Sequence, residues 1–572
     1  MLSTSDVGAF EVPESRPWFK YYDPKVPRHL IYPRIPLYCL LDESAARHPD
    51  SPCTNFFGKQ LTYQRVKELS DRFAAGIRGL GIRKGDRVVL LLPNSPQFII
   101  AYYGLLKAGV VAVPLNPLSS ERELEFYLTD SEAGAAITIP LFLNKVIPLK
   151  GRTPLRHIIC SRLADFLPFP LNLGQGFRER ISMHGLNRET LVDFKDLLRQ
   201  SPRPDWRAEA VEPDEMAVLI YSGGTTGVAK AIMLSHFNLV ANAHQIIAWG
   251  QLTDEQGILA VLPLFHGFGM SVTMNAALLA GGEIILLPRF DARQIARAIQ
   301  KYKPSFFIGV PTMFVRLSNL PGIQRYDFSS LRGIFVGAAP LTRAIKDEFE
   351  AKLKSTGKEG GRLIEGYGLT EAVTAIMANP YKGMHKVGSI GIPFPDVDMK
   401  IVSLDEGRDL GPGELGEIVL RSPTVMLGYY KNPEETRKTI VDGWLHTGDI
   451  GYVDEDGYFY ITDRKKDLII VSGFNVFPRE IDELIYQHPK VKEGISIGLP
   501  DPLKGERIKV YIVLKDGETA TQEEFIAYFR ERLTPYKVPS EVEFRAELPK
   551  SMIGKILRRA LREEENRKAK ES

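Results

Sequence analysis

Cysteine is scarce in this chain: its 572 residues contain three, Cys39, Cys53 and Cys160. An odd number without metal-ligand spacing argues against a disulfide scaffold and fits a reducing compartment, where the three thiols are expected as small buried apolar groups. An excess of one charge is lacking too. Lysine and arginine number 73 against 70 aspartates and glutamates, for a formal net charge of +3. That balance gives no general attraction for nucleic acid or an acidic partner, so any anion site must be local. No stretch reads as a membrane span. Residues 88–106 and 257–282 are uncharged, but the first contains PNSPQ and the second LPLFHGFG, turn residues that fit strand, loop and helix in a water-soluble core. Acidic residues come early at the N-terminus, with no basic-then-apolar pattern, and the closing RKAKES carries no retention or peroxisomal tag. The expectation is a cytoplasmic protein without a signal peptide. Internal repeats are absent.

What is present is ordinary for a globular chain: 44% hydrophobic and 25% charged residues, over a length that exceeds what one hydrophobic core serves. Short apolar runs alternate with amphipathic stretches. GDRVVLLLPNS followed by PQFIIAYYGLLKAG reads as strand, turn and helix; AAITI, IILLP, FFIGVP and GIFVGAAP are further buried strands, and DARQIARAIQKY is a helix. The alternation predicts α/β architecture with two largely parallel sheets and their helices. Near residue 390 the texture changes to GIPFPDVDMKIVS, GELGEIVLRS and GYFYITD, which predicts a small barrel-like β unit. After TDRKKDLII comes a smaller α+β section, with EIDELIYQHP and EEFIAYFRERL helical and VYIVLK a strand. A domain boundary is placed here, giving a large domain over 1–465 and a small one over 466–572. Residues 143–197, with LADFLPFPLNLGQGFRER, fit neither texture and read as an insertion. The tail REEENRKAKES reads as a solvated helix end.

Five stretches carry candidate chemistry. From Tyr221 the chain reads YSGGTTGVAKAIML: glycines let backbone N–H groups approach a ligand closely, and threonine hydroxyls and an ammonium add donors, a combination suited to a phosphate chain. It is not a P-loop, because the lysine lacks a preceding Gly and a following Ser/Thr. Taken alone it can also be read as a glycine-rich surface turn. GYGLTE, from Gly366 to Glu371, offers a ring for stacking, a hydroxyl for a phosphate and a carboxylate for a hard cation, or else a helix N-terminus. TGD, from Thr447 to Asp449, is a turn or a ribose-binding carboxylate. His266, within PLFHGFG, is a core imidazole or a reactive one. PKSMIGK, ending at Lys555, places a lysine after a glycine.

The order and spacing of these stretches resemble the adenylate-forming superfamily of acyl-CoA synthetases, luciferases and non-ribosomal adenylation domains, over nearly the whole chain from about Leu37 to Arg559. YSGGTTGVAK, VSGFNVFPREID and LPKSMIGKILRR look most like the long-chain fatty acid-CoA ligase branch. The resemblance implies a large N-terminal domain, a smaller mobile C-terminal domain, and a two-step reaction. A fatty acid carboxylate attacks the α-phosphorus of ATP, with Mg²⁺, to give acyl-AMP and pyrophosphate; the CoA thiol then displaces AMP. By the same resemblance Ser222, Gly223, Gly224, Thr225, Thr226, Gly227 and Lys230 wrap the β- and γ-phosphates. Gly337, Ala338 and Ala339 border the adenine, and Tyr367, between Gly366 and Gly368, stacks on it. Thr370 bonds the α-phosphate, Glu371 holds Mg²⁺, and Asp449 binds the ribose with Arg464 close by. His266 lines the carboxylate end of the acyl pocket. Ser472, Gly473 and Phe474 border the pantetheine channel, Lys466 is the hinge, and Lys555 is the mobile catalytic lysine. Ala229 and Ala231 depart from the proline and glycine that flank the loop lysine in many relatives; Ala231 restricts the backbone there.

Two alternatives stand beside the acyl-CoA synthetase. One is an acyl-AMP ligase that serves a carrier protein, although SGFNVFP favours CoA and no carrier-like domain follows Lys555. The other is a non-catalytic acyl-binding protein of the same fold, against which Glu371, Asp449, Arg464 and Lys555 together argue. The apolar LADFLPFPLNL is expected to touch lipid or lengthen the acyl channel, giving peripheral contact at the inner face of the membrane, and homodimers are common among the relatives the chain resembles.

Overall fold

Consecutive valines and leucines cannot alternate between core and water, so RVVLL must be covered on both faces. It forms the strand Arg87–Leu91, four of whose five residues are buried. The helix Pro96–Lys107 follows, opened by Ser95 with proline in the first turn, and buried along its whole length. The structure is a computed structural model and describes residues 13, 15–185, 191–199, 208–222, 229–355, 361–472, 474–550 and 556–571. Among these, no helix is long and apolar enough to cross a membrane.

By compactness the chain divides into two units, one of residues 1–398 and 421–445 and the other of 399–420 and 446–572. Two sheets build the first unit. Leu363–Gly368, Gly333–Val336, Phe306–Gly309, Gly257–Ala260, Glu283–Leu286 and Pro52–Phe56 lie side by side, all parallel, as the centre of a nine-stranded sheet. Met216–Ser222, Val111–Pro114, Arg87–Leu91, Ala135–Thr138, His157–Cys160 and Leu191–Asp193 do the same in an eight-stranded sheet. The predicted strands at AAITI, IILLP, FFIGVP and GIFVGAAP are thus the parallel centres of these sheets. DARQIARAIQKY is the helix Ala292–Tyr302, with the Asp291 carboxylate accepting the Gln294 N–H at its start.

The strands Asp398–Val402, Asp409–Leu410, Gly416–Arg421, Trp444–Val453 and Phe459–Arg464, most of whose residues belong to the second unit, supply most of a six-stranded sheet. A five-stranded sheet follows, built on the long antiparallel pair Val491–Asp501 and Gly505–Leu514. Helices Pro478–Gln487 and Gln522–Arg530 close its core through Ile481, Ile485, Phe525 and Phe529.

Three readings change. Cys53 and Cys160 are buried, but Cys39, at the start of the helix Cys39–Arg47, is only half covered. Residues 143–197 are not an insertion outside the sheet: two of its parallel strands come from them, and the helix Leu171–Ser182 lies on the crossover between those strands. Parallel neighbours need such a crossover, which is why the texture there is irregular. Nor is the tail simply solvated. In the helix Arg558–Glu571, Leu561 is fully buried against Leu548, Ile497 and Leu499. Its acids are committed as well: Arg545 forks onto Glu564 at 2.8 and 2.6 Å, and the buried Lys509 ammonium reaches Glu541, Glu543 and Glu565 at 2.6, 2.8 and 3.0 Å.

This cluster sets an acid limit on stability. Arg545 holds the Glu564 carboxyl down at about 2. For Glu565, burial alone would raise the value, but Lys568 and Lys509 outweigh it and bring it to about 2 as well. A carboxyl whose folded pKa lies below its unfolded value of 4.5 contributes stability above pH 4.5, and loses it as the pH falls toward the folded value. Glu565→Gln is therefore expected to lower unfolding free energy at pH 7 by about 2 kcal/mol. The gap from the parent should close progressively below pH 4.5 in urea titrations; a gap unchanged at low pH contradicts the assignment.

Candidate functional site

The glycine-rich stretch leaves one strand and enters the next. Met216–Ser222 and Lys230–Ser235 are antiparallel partners, with Ser222 opposite Lys230. Gly223, Gly224, Thr225, Thr226 and Gly227 between them lie outside the described residues. The near end is anchored by Tyr221, whose hydroxyl donates to Asp130 at 2.7 Å and whose ring lies 4.6 Å from that of Tyr127. Ala231 is a regular strand residue, buried and opposite Tyr221, with its carbonyl accepting the Tyr430 N–H at 2.8 Å. An extended backbone is open to alanine, so the restriction seen in the sequence costs nothing here.

Lys230 and Glu371, far apart in sequence, are linked through Tyr429. The short strand Gly428–Tyr429 pairs with Lys230–Ser235. The Lys230 ammonium lies 5.0 Å from the Tyr429 ring centre and pairs with Glu435, which sits on the helix Pro433–Thr439. The Tyr429 hydroxyl donates to Glu371 Oε1 at 3.0 Å. Burial, and then the Glu371 carboxylate, push Tyr429 far above the usual tyrosine range, so the hydroxyl stays a donor. Sequence reasoning missed Tyr429 and Glu435; the string GYYKNPEET contains both, but nothing local shows that it pairs with the lysine strand.

Glu371 sits in a strained turn. The 3₁₀ turn Thr370–Ala372 runs into Val373 at φ 67°, ψ −65°, and the Thr374 N–H donates to the Ala372 carbonyl at 2.8 Å. A β-branched residue in this tight turn costs about 1–3 kcal/mol, a cost met mainly where a side chain must be held in place. Before it, Leu363–Gly368 pairs antiparallel with Ala375–Ala378. The approach at Gly368 is so close that a Cβ would lie 1.6 Å from the Thr374 carbonyl oxygen. The HGFG stretch meets the same turn: a Cβ on Gly267 would be 2.5 Å from the Val373 carbonyl oxygen. Gly337 is flanked by the Gly366 carbonyl and the Phe268 ring. His266, Gly337, Gly366, Tyr367, Gly368, Thr370 and Glu371 thus come together, with Ala338 following Gly337 at φ 66° and exposed and Ala339 half-buried next to it. His266 is accessible to solvent yet crowded by protein, and this desolvation lowers its pKa. The firmer reason to place its proton on Nε2 is that Nδ1 accepts the Phe268 N–H at 3.3 Å.

Tyr429→Phe is expected to preserve the fold while freeing the Glu371 carboxylate from its orientation. Loss of a hydrogen bond to a charged group amounts to about 1.5–3 kcal/mol, or roughly tenfold or more in nucleotide-dependent turnover. Turnover measured against magnesium concentration checks it; an unaltered curve removes Tyr429 from the site.

In the second unit, Asp449 is buried in Trp444–Val453 and stands opposite Arg464 in the neighbouring strand. Its Oδ1 accepts from Arg464 Nε at 2.9 Å, and its N–H donates to Thr447 Oγ1. Glu417 was not legible as a site residue. It binds the Gly448 N–H at 3.1 Å and the Lys465 ammonium at 2.9 Å, so it holds the TGD turn and the chain after Arg464 together. Burial would raise the Glu417 carboxyl, but Lys465 and His446 outweigh it and lower its pKa. Lys466 is exposed, and its carbonyl lies 3.5 Å from Arg562 Nη1. Ser472 takes φ 52°, and Phe474 is exposed with its ring stacked 4.7 Å from that of Tyr536. Gly473 and Lys555 lie outside the described residues; of the residues flanking the latter's stretch, Lys550 pairs antiparallel with Ile556.

A parallel α/β core that gathers a lysine strand, a strained acidic turn and a glycine-bordered strand end defines a nucleotide-handling protein of the adenylate-forming type. The chain belongs to the AMP-binding enzyme family, whose model matches residues 41–430, and the model of the AMP-binding enzyme C-terminal domain matches 480–555. It is 42% identical over 555 residues to a long-chain-fatty-acid–CoA ligase of Bacillus subtilis (strain 168), covering 96% of this chain and 98% of that one. It is 38% identical to the long-chain-fatty-acid–CoA ligase of Escherichia coli O157:H7, with the same coverage. Among solved structures it resembles ATP-bound MatB from Rhodopseudomonas palustris, with a TM-score of 0.81 and 27% identity over 93% of this chain and 99% of that one.

Proposed function

We propose that this protein is an AMP-forming fatty acyl-CoA synthetase that joins a long-chain fatty acid to CoA at the expense of ATP. The observation that carries this reading is the linkage of Lys230, Tyr429 and Glu371 beside the glycine-bordered ends of Gly333–Val336 and Leu363–Gly368. An ammonium for the terminal phosphates and a carboxylate for a cation are thereby tied together next to the close-packed glycines at those strand ends. Similarity to the two ligases supports fatty acid and CoA as the other substrates.

Each residue then has a task. Lys230 and the loop before it neutralise the β- and γ-phosphates of the leaving pyrophosphate. Tyr367 stacks on adenine between Gly337–Ala339 and the strand behind it, and Thr370 donates to the α-phosphate. Asp449, oriented by Arg464 and Thr447, accepts the ribose hydroxyls. His266 Nε2–H faces the reacting carboxylate. Among the described residues no three His, Cys, Asp or Glu side chains group as a metal site. The Glu371 carboxylate, a single hard oxygen donor group, would hold Mg²⁺, and the ion would supply positive charge to lower the repulsion of the polyphosphate. We assign nucleotide and acyl binding to 1–465, and Lys555 with the CoA-facing stretch Ser472–Phe474 to 466–572, with Lys466 as the hinge between them.

The test is pyrophosphate release across short, medium and long fatty acids and aryl acids, with AMP release followed with and without CoA. A long-chain optimum with CoA-dependent AMP release is expected. Release of AMP only when a carrier protein is supplied would make the protein an acyl-AMP ligase, and no release at all would leave an acyl-binding protein.

A further inference from the structure

The helix Leu171–Ser182 is turned inside out. An amphipathic helix on a soluble protein lays its apolar stripe on the core. Here the residues facing the protein are Asn172, Gln175, Gly176 and Glu179, and the apolar ones face water. Glu179 is 4% exposed, and its Oε1 accepts from the Leu163 N–H at 2.9 Å and from Gln175 Nε2 at 3.0 Å. Leu173, Phe177 and Ile181, four residues apart and so in one line, are 62%, 65% and 59% exposed; Phe169, just before the helix, is 79% exposed. Arg178 and Arg180 are both exposed and, at 100° per residue, flank that line on either side. Neither guanidinium makes an ion pair among the described residues, and from 169 to 185 the one acidic residue is the buried Glu179.

An apolar line edged by unpaired arginines matches a surface with an apolar interior beneath anionic groups. A second copy of the chain fits it poorly, because two such faces in contact would bring four guanidinium groups together. We propose that the helix Leu171–Ser182 seats on an anionic lipid bilayer, with Leu173, Phe177 and Ile181 in the acyl boundary and Arg178 and Arg180 against headgroup phosphates. The Glu179 contacts hold the helix to the protein on its opposite side. This extends the fatty-acid reading, since such a substrate partitions into the same bilayer.

The test is sedimentation of the full chain with phosphatidylcholine vesicles, with and without phosphatidylglycerol. The parent is expected to bind, more tightly to the anionic vesicles. Replacing Leu173→Ser, Phe177→Ser and Ile181→Ser together should weaken partitioning by about 30-fold. Arg178→Gln with Arg180→Gln should remove the preference for phosphatidylglycerol, about tenfold, while leaving binding to the neutral vesicles. In both variants, pyrophosphate release from a water-soluble short-chain acid without vesicles should match the parent, which separates failure of this proposal from failure of the enzymatic reading. Equal vesicle binding by parent and triple variant overturns it. So does a parent that ignores vesicles, or one that forms a dimer which the triple variant loses, since a second copy would then be the occupant.

Discussion

Lys555→Ala should abolish most pyrophosphate formation from fatty acid and ATP while leaving the conversion of supplied acyl-AMP and CoA to acyl-CoA near the parent rate. In the first step the attacking carboxylate oxygen and the oxygens around the α-phosphorus share negative charge. An ammonium placed there stabilises the transition state more than the ground state. Removal of one such donor costs about 3 kcal/mol, or roughly a hundredfold or more in rate. In the second step the adenylate already exists, and the charge that built up at phosphorus has left with pyrophosphate. An ordinary surface lysine predicts little change in either half-reaction. Single-turnover measurements of the two halves decide between these cases. Equal collapse of both, or no change in either, removes Lys555 from the role proposed for it.

Glu371→Gln should be nearly as damaging, by a different route. The amide oxygen can still accept the Tyr429 hydroxyl that now donates to Glu371 Oε1 at 3.0 Å, so the turn and its strained Val373 are kept. What disappears is one negative charge at the point proposed for the hard cation. Turnover should fall by about a hundredfold at low magnesium. Excess magnesium should recover part of it, because mass action would refill a weakened site. Titration of pyrophosphate release with magnesium, alongside a thermal melt of each protein, is the measurement. A variant with unchanged melting and an unchanged magnesium curve would show that Glu371 holds no metal. Tyr429→Phe, which leaves the charge but loosens its orientation, should lie between this variant and the parent.

Much of the architecture was readable because its signals are local. RVVLL and FFIGVP are continuous apolar runs, and a strand covered on both faces has no other composition. DARQIARAIQKY carries its cap and its helical period within twelve letters. The residues of GYGLTE, TGD and HGFG were also legible as candidates, since glycines that admit a close backbone and side chains that meet phosphate, ribose or cation are adjacent in the string. Other pieces were not. Nothing in GYYKNPEET says that Tyr429 reaches Glu371, because that contact exists only once Gly428–Tyr429 has added itself to the lysine strand. Glu417 could be seen as a strand residue, not as the group that ties the TGD turn to Lys465. The tail looked solvated because EEE reads as a water-facing face; its pairing with Arg545 and Lys509 depends on where a helix docks.

The sequence by itself therefore determined the α/β class and the family, and it offered candidates for the chemistry, since each rests on the properties of side chains within short segments. Tertiary structure alone decided which of those side chains meet and which way each element faces. The helix Leu171–Ser182 makes the point: its letters specify an apolar line and a polar line, but only the packing that buries Glu179 turns the apolar line outward. Burial is a property of the neighbours a segment acquires on folding, here the turn at Leu163, and the letters of the helix do not specify them.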